Sequence, residues 1–194
     1  MKFIPKLTQN EDGVYPSRPE HPALRFFKID PAAFDPQWGT EYAACFDLRA
    51  CIPEGTSVKS FNRENVKVDL SSFKRFDNEQ ALIIVEPGHR VMVPTGLMFD
   101  IPVGYSIRLH SRSGLALKQA LVLANHEGVV DSDYVDPTFI VLTNNSNVPA
   151  EIFHGDRIGQ GEMMVDIAFE IQRQFEKPLQ KTDRVGGFGS TGKT

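Results

Sequence analysis

The sequence has few cysteines, no long apolar run and no basic surplus, and each shortage excludes a class of protein. Its 194 residues contain two cysteines, Cys45 and Cys51, with no histidine at a metal-ligand spacing. We therefore expect free thiols in a reducing cytoplasm rather than a disulfide framework. Residues 1–13 lack the apolar stretch of a signal peptide, and no segment is long and apolar enough to span a membrane. The expected location is cytoplasmic.

The charge balance is slightly acidic, with a formal net charge of −4. Broad nucleic-acid binding usually requires a basic surplus, so we expect no direct nucleic-acid partner. A few local arginines could still hold a small anionic ligand. The content of 41% hydrophobic and 24% charged residues is typical of one globular domain with a substantial core.

Long helices are also missing from the pattern. Six of the thirteen prolines lie in the first 40 residues, which predicts an extended or irregular N-terminal extension over residues 1–40. We expect a β domain over residues 41–181, with a polar, irregular surface insertion at about 55–80. Residues 182–194 are expected to form a flexible C-terminal arm.

From residue 43 onward, short β-branched or aromatic runs alternate with turn signals such as Pro87-Gly88. This pattern predicts an all-β sandwich, barrel or jelly roll. One short helix is expected at residues 113–120. The predicted strands are 66–70, 81–86, 90–93, 105–110, 120–124, 138–143, 150–153 and 168–175.

The last eight residues, GFGSTGKT, match the P-loop pattern G-x-x-x-x-G-K-[ST]. A P-loop binds phosphate because its glycine-rich turn leaves a strand and enters a helix. Here the preceding residues 181–184 are polar, and we expect no helix after the pattern. A P-loop is therefore disfavoured. Two alternatives stay open: a tail without function, or an arm with Arg184 and Phe188 that folds over a bound nucleotide.

Two segments in the first part of the β domain carry groups suited to phosphate chemistry. Asp47 lies between apolar neighbours and could bind a ligand or simply end a strand. Arg112, Ser113 and Gly114 open the predicted helix, where backbone N–H groups and the helix dipole favour an anion. The structural alternative is a serine that only caps the helix.

Two later segments are also candidates. Residues 125–134, NHEGVVDSDY, combine an amide that can recognise a base edge with a carboxylate suited to general-base catalysis, although an ordinary β-turn is the alternative. Residues 155–160, GDRIGQ, form a Gly-Asp turn before an amphipathic strand. Asp156 and Arg157 could simply pair to close this hairpin. His126 and His154 are expected to be incidental rather than metal ligands.

Taken in order, five segments over residues 43–192 resemble the five motifs of the dUTP diphosphatase (dUTPase) family. Each motif alone is weak, and their order carries the resemblance. The chain is similar to a phage or bacterial member with an N-terminal extension and an insertion, and the P-loop match is then a coincidence of composition. The segments are ACFDLRA (44–50), SRSGLA (111–116), NHEGVVDSDY (125–134), GDRIGQ (155–160) and RVGGFGSTG (184–192).

The resemblance implies a distorted jelly-roll-like β-barrel that forms a homotrimer, with each active site built from several subunits. It implies that Mg²⁺ chelates the triphosphate and that water attacks the α-phosphorus of dUTP. The products would be dUMP and pyrophosphate. This reaction would limit uracil in DNA and supply dUMP.

The resemblance also assigns roles by motif position. Asp131 matches the carboxylate that activates water, and Asp47 matches the one that orients metal-bound water. Asn125 and the backbone near Gly128 match the uracil-binding groups, while Tyr134 matches the ring under the deoxyribose. The phosphate contacts match Arg112, Ser113, Gly114 and Gln160, and the arm that closes over the γ-phosphate and base matches Arg184, Phe188, Gly189, Ser190 and Thr191.

Four positions depart from the family pattern. Cys45 replaces the usual glycine, Ser111 replaces the usual proline, residues 135–137 (VDP) replace a residue followed by glycine, and the fifth motif is one residue shorter. The third departure bears on base and sugar specificity. Two alternatives therefore stay open: a related pyrimidine deoxynucleotide enzyme (a dCTP deaminase, or a diphosphatase for dCTP or a modified dUTP) and a regulatory nucleotide-sensing protein on the same scaffold.

Overall fold

The computed structural model describes residues 22–76 and 78–183. Strands dominate this part of the chain, and the helix α1 spans Ser113–Gln119, where the sequence predicts it. The strands are β1 (Arg25–Lys28), β2 (Gln37–Trp38), β3 (Phe46–Arg49), β4 (Ser57–Phe61), β5 (Leu70–Ser71), β6 (Phe73–Arg75), β7 (Asn78–Val85), β8 (Arg90–Asp100), β9 (Tyr105–His110), β10 (Leu121–Leu123), β11 (Gly128–Val130), β12 (Thr138–Asn144), β13 (Ala150–Phe153) and β14 (Arg157–Val165).

The strands form antiparallel sheets that enclose one core. The first sheet has the order β10-β12-β8-β4-β5, with β1 also paired to β8. The second has the order β11-β9-β14-β3-β2, and the third has the order β13-β7-β6. The predicted all-β, jelly-roll-like architecture is confirmed.

Alternation of side chains along the strands explains how the core forms. In β12, every second residue from Thr138 to Asn144 is buried and the residues between are half-buried, because successive side chains of a strand point to opposite faces. Each sheet contributes fully buried aliphatic side chains to the same cluster. Examples are Leu48 and Ile107 from the second sheet, Ile140 from the first and Ile152 from the third.

Residues 55–80, predicted to be an irregular insertion, contain β4, β5, β6 and the start of β7. Strand β4 pairs with β8 and buries Val58 and Ser60. Its buried face holds one aliphatic and one serine, so the stretch has too few apolar residues for its strand pattern to be recognised. The predicted strand at 66–70 is reduced to an isolated bridge of Lys67 with Phe61 and the short β5.

The predicted strand at 168–175 is also wrong, since residues 166–174 have no regular secondary structure. Ile167, Phe169 and Ile171 alternate as in a strand, yet all three are at least 80% exposed. A strand needs a neighbour for its backbone hydrogen bonds. Within the described chain, no strand pairs with these residues.

The part of the proline-rich N-terminus that the structure describes is bound to the sheets. Strand β1 pairs with the end of β8, and β2 pairs with β3. Ala33 lies in the core. Residues 1–21 of the predicted extension lie outside the described residues. Across the described chain, no helix combines the length and apolar character that a membrane crossing requires.

Candidate active site

Asp47 is a buried carboxylate held by three side chains from two other segments, β14 and the residue before α1. It lies in β3 and is only 6% exposed. Arg112 Nε is 3.0 Å from its Oδ1, and Arg157 Nη1 is 3.1 Å from its Oδ2. Gln160 Nε2 lies 3.5 Å from Oδ1, at the long limit of a hydrogen bond. We call these four residues the Asp47 cluster.

The register of the second sheet produces this cluster. Strand β14 lies between β3 and β9, so Gln160 is opposite Asp47 on one side and His110 on the other. Arg112 follows His110 by two residues, which brings the segment before α1 onto the same carboxylate. The sheet therefore unites predicted site residues from the first, second and fourth motifs.

Arg157 is a site residue that the sequence interpretation missed. Asp156 and Arg157 do not pair with each other, because the Asp156 carboxylate accepts a hydrogen bond from the backbone N–H of Phe153 at 2.9 Å. Arg157 instead extends to Asp47, and its carbonyl accepts a hydrogen bond from Arg112. The sequence does not show whether Arg157 pairs with Asp156 or with Asp47. That choice depends on the pairing of β14 with β3, which are distant in sequence.

The start of α1 presents Ser113 and Gly114 to solvent. The N-cap residue is Arg112, and no side chain caps the helix. Ser111 is occupied elsewhere, since its Oγ accepts a hydrogen bond from the Leu123 N–H at 2.8 Å. A Cβ atom added at Gly114 would meet no atom within 4 Å. The interpretation of a serine as a helix cap is therefore wrong, and the first N–H groups of α1 have no capping side chain.

Residues 125–134, which we call the polar hairpin, contain β11 and its flanking turns. His126 occupies the left-handed backbone region with φ 62°, and the Asn125 carbonyl accepts a hydrogen bond from the Glu127 N–H at 2.7 Å. Tyr134 donates its hydroxyl hydrogen to the Pro137 carbonyl at 3.0 Å. The turns of the hairpin are thus held mainly through backbone groups.

A cavity of about 260 Å³ lies against the polar hairpin. Gly128 forms part of its wall and packs closely on β9: an added Cβ would lie 3.0 Å from the Leu109 Cβ. Polar groups are supplied by Asn125 and Tyr134, which makes the cavity suitable for a small planar ligand with polar edges. The lining residues are Met92, Leu109, Asn125, Gly128, Val129, Val130, Tyr134, Thr138, Phe139 and Val141.

A larger apolar cavity of about 580 Å³ lies near the N-terminal segment, between residues such as Leu24, Trp38 and Met163. It contains none of the predicted site residues. Because its described lining carries no charged side chain, it is less suited to a triphosphate than the surroundings of the Asp47 cluster.

Asp131 lies far from Asp47 in the same chain. It follows β11 and is exposed, and its carbonyl accepts a hydrogen bond from the Tyr134 N–H. Val130 pairs with Ile107, three residues along β9 from His110, and β11 is three strands from β3. With about 3.4 Å per residue and about 4.8 Å between strands, a flat sheet of this register would place the Cα atoms of Asp47 and Val130 about 18 Å apart. The predicted base, Asp131, and the predicted metal-binding carboxylate, Asp47, are therefore not neighbours in the sheet of one chain.

The five predicted residues of the C-terminal arm lie outside the described residues. These are Arg184, Phe188, Gly189, Ser190 and Thr191.

The Asp47 cluster fits a metal ion through water better than by direct coordination. An ionised carboxylate has about four lone-pair positions, and three donors already face this one. One acceptor position remains for a metal-bound water, in keeping with the tendency of Mg²⁺ to retain several waters.

Both cysteines are free, as the sequence predicts. Burial, together with the Glu162 and Asp47 carboxylates, raises the pKa of the Cys45 thiol. Burial and Asp30 raise the pKa of the Cys51 thiol to about 11. Both thiols are therefore protonated near neutral pH.

Comparisons with known proteins show which family the chain resembles. The dUTPase family model matches residues 78–192. The deoxyuridine 5'-triphosphate nucleotidohydrolase of Roseobacter denitrificans is 35% identical over 158 residues, covering 81% of this chain and 86% of that protein. The protein of the same name from Bdellovibrio bacteriovorus is 38% identical over 148 residues, covering 71% of this chain and 97% of the relative.

Among solved structures, the dUTPase of Staphylococcus bacteriophage 80alpha is 19% identical and has a TM-score of 0.65. The match covers 88% of this chain and 98% of that chain, and it supports the fold. The family model covers more than half of the sequence, and the bacterial relatives are similar over most of their length. The chain belongs to the dUTPase family.

Proposed function

We propose that this chain hydrolyses dUTP to dUMP and pyrophosphate, with water attacking the α-phosphorus. The observation that carries the proposal is the register of β14, which places Gln160 opposite Asp47 and brings Arg112 to the same carboxylate. This arrangement gathers the expected metal-binding carboxylate and expected phosphate contacts from three motifs. The relatives that are 35–41% identical bear the corresponding enzyme name.

The Asp47 cluster and the start of α1 are the phosphate-facing part of the proposed site. Arg112 supplies a fixed positive charge, and Gln160 supplies an amide donor. The N–H groups near Ser113 and Gly114 add donors in a region that is open to solvent. Donors held in place before the reaction stabilise the charge that develops on the phosphoryl group. Mg²⁺, when bound, neutralises the triphosphate charge, and Asp47 would hold it through water.

Asp131 is the proposed general base. A carboxylate at the end of a short strand is held by the backbone yet remains accessible to water, and Asp131 has this position after β11. It takes a proton from the attacking water as the oxygen bonds to the α-phosphorus. The bond from that phosphorus to the bridging oxygen breaks, and pyrophosphate leaves.

The cavity beside the polar hairpin is the proposed binding site for uracil and deoxyribose. The Asn125 amide and hairpin backbone near Gly128 would bind the polar edge of the base. A base with the wrong donor pattern would leave buried polar groups without partners, which weakens its binding. Tyr134 would lie under the sugar, where a ribose 2′-hydroxyl would clash.

We propose a homotrimer in which different chains complete each site. The separation of about 18 Å between Asp47 and the end of β11 in one chain supports this assembly. The exposed Ile167, Phe169 and Ile171 also support it, because their alternation is typical of a strand whose partner belongs to another chain. The arm residues Arg184 and Phe188 would then close over a bound nucleotide. A cytoplasmic location stays a prediction.

Pyrophosphate release from a panel of deoxynucleoside triphosphates tests the proposal. We expect turnover of dUTP with Mg²⁺ and little turnover of UTP, and in water labelled with heavy oxygen the label should enter dUMP. Label in pyrophosphate would contradict attack at the α-phosphorus, and UTP turnover equal to that of dUTP would contradict the role of Tyr134. Ammonia release from dCTP would identify a deaminase. Nucleotide binding without turnover would favour a regulatory protein.

A further inference from the structure

Three side chains beside the Asp47 cluster form a second polar group that the proposed reaction does not use. Cys45, His110 and Glu162 each offer a sulfur, nitrogen or oxygen atom, and these atoms lie within 4.8 Å of one another. Cys45 precedes β3, His110 ends β9, and Glu162 lies in β14 between those strands. We call these residues the Cys45 group.

His110 has an unsatisfied nitrogen that faces this group. Its Nε2 atom is buried and has no hydrogen-bond partner among the described residues, although Glu162 Oε2 is only 3.3 Å away. A buried polar atom without a hydrogen bond is unfavourable unless another partner occupies the site. For metal–ligand bonds of about 2.0–2.1 Å, neighbouring ligand atoms of a tetrahedron are about 3.3–3.4 Å apart. The nitrogen–oxygen distance therefore already matches one edge of such a site.

The other side of the His110 ring faces a second carboxylate. Glu127 Oε1 is 3.9 Å from His110 Nδ1, and Glu127 also lies 4.0 Å from Arg108. Histidines that bind metals usually direct their remaining nitrogen towards a carboxylate, a carbonyl or water, which orients the ring. Glu127 would take this orienting role if its carboxylate moved slightly closer to His110 Nδ1.

We propose that Cys45, His110 and Glu162 bind a divalent transition-metal ion of the zinc class. Sulfur and imidazole ligands favour zinc, whereas Mg²⁺ prefers oxygen ligands in octahedral geometry. Three protein ligands leave a fourth tetrahedral position for water. On binding, the Cys45 thiol loses its proton to solvent, and its sulfur bonds to the metal.

The local charges suit a cation. Glu162 belongs to the Cys45 group itself and Asp47 lies two residues after Cys45, so two carboxylates lie near the sulfur. The guanidinium groups of Arg112 and Arg157 are paired with Asp47 rather than with Glu162. The proposed reaction assigns no role to Cys45, His110 or Glu162. Gln160 lies opposite Asp47 on one side and opposite His110 on the other. The proposed metal site is therefore next to the Asp47 cluster.

Metal titration of the full-length protein tests this site without a measurement of turnover. After chelator treatment and dialysis, Zn²⁺ is titrated against a chromophoric chelator, and Co²⁺ is added separately as a spectroscopic probe. We expect one tight site per chain and the near-ultraviolet absorption of a cobalt–thiolate bond, both unaffected by excess Mg²⁺. Displacement of Zn²⁺ by Mg²⁺, or a Co²⁺ complex without thiolate absorption, would overturn the proposal.

Variants assign the ligands. Cys45→Ala should abolish the thiolate absorption and weaken Zn²⁺ binding by at least about 100-fold, and His110→Gln should weaken it comparably. Cys51→Ala is the matched control, because it removes the other thiol, which lies in the core, and it should bind Zn²⁺ as the parent does. Thermal melting without metal checks that each variant is folded. Parent-like Zn²⁺ affinity in folded Cys45→Ala would refute the site.

Discussion

The Asp47 cluster and the polar hairpin are organised in opposite ways. In the cluster, one buried carboxylate is held by two arginines and a glutamine from distant parts of the chain. In the hairpin, the polar side chains are exposed and the turns are held mainly by local backbone contacts. The first arrangement is complete within one chain, whereas the second leaves Asp131 accessible and far from Asp47. In the proposed site, phosphate binding would thus depend on the folded sheet, and water activation would depend on a strand end that another chain could approach.

Substitution of the proposed base should give the largest effect. Asp131→Asn keeps the size of the side chain but removes its ability to accept a proton from water. Turnover should fall about 10²–10⁴-fold, the usual contribution of a positioned general base. Nucleotide affinity and melting temperature should stay close to the parent values.

Asp133→Asn is the matched control for this change, since Asp133 is a second exposed carboxylate of the polar hairpin. It should change turnover by less than about threefold, because only one group takes the proton. If Asp133→Asn instead gives the large loss and Asp131→Asn the small one, Asp133 is the base.

Removal of the buried charge should weaken the proposed water-mediated Mg²⁺ contact and should also lower stability. Asp47→Asn leaves Arg112 and Arg157 without their counter-ion. A fully buried pair loses about 3–5 kcal/mol when one partner is removed, but the Arg157 side chain is 46% exposed and can turn to solvent. We expect a loss of about 2 kcal/mol in the free energy of unfolding.

Glu151→Gln provides the comparison, because Glu151 and Arg75 form an ion pair near the surface. Such pairs contribute about 0–1 kcal/mol. Urea unfolding of both variants measures the difference. Equal losses would show that burial of Asp47 gives its ion pairs no special importance.

The arm at the end of the chain should have an intermediate effect on binding. Phe188→Ala should weaken nucleotide binding by about 1–3 kcal/mol if the ring stacks on the base. Lys193→Ala should have little effect, because the P-loop interpretation that needs this lysine is disfavoured. Isothermal titration with a non-hydrolysable dUTP analogue compares them. Loss of binding in Lys193→Ala alone would restore the P-loop interpretation.

The sequence allowed prediction of the features that depend on local pattern. The apolar runs at 105–110, 138–143 and 150–153 are strands, as predicted. The short helix predicted to begin at Ser113 is also present, as α1. Strand β4 cannot be recognised from the sequence because its buried face holds only one aliphatic side chain. The run at 168–175 has the alternation of a strand, but local alternation does not show whether a partner strand is present.

Within the site, Asp47, Arg112 and Gln160 come from three motifs and lie in one cluster, but pairings between distant residues cannot be predicted from the sequence. Asp156 and Arg157 are adjacent in sequence, yet each has another partner. Cys45, His110 and Glu162 are separated by more than 50 residues at each step and meet only through β14. No spacing rule for metal ligands covers such a group, since those rules describe local turns and helices.

The smallest expected effects come from one added methyl group in each region. Gly128→Ala would place a Cβ 3.0 Å from Leu109 atoms, so β9 and β11 must separate slightly, at a cost of about 1 kcal/mol in stability. Gly114→Ala meets no atom within 4 Å and favours the helix, so stability should be unchanged or rise by up to about 1 kcal/mol. Its KM for dUTP should nevertheless increase several-fold, because the methyl group occupies space through which a phosphate reaches the N–H groups of α1. Unfolding and steady-state kinetics on both variants separate packing from binding. If Gly114→Ala is more stable and its KM is unchanged, the start of α1 does not contact the triphosphate. The phosphate-facing part of the proposed site would then consist of the Asp47 cluster alone.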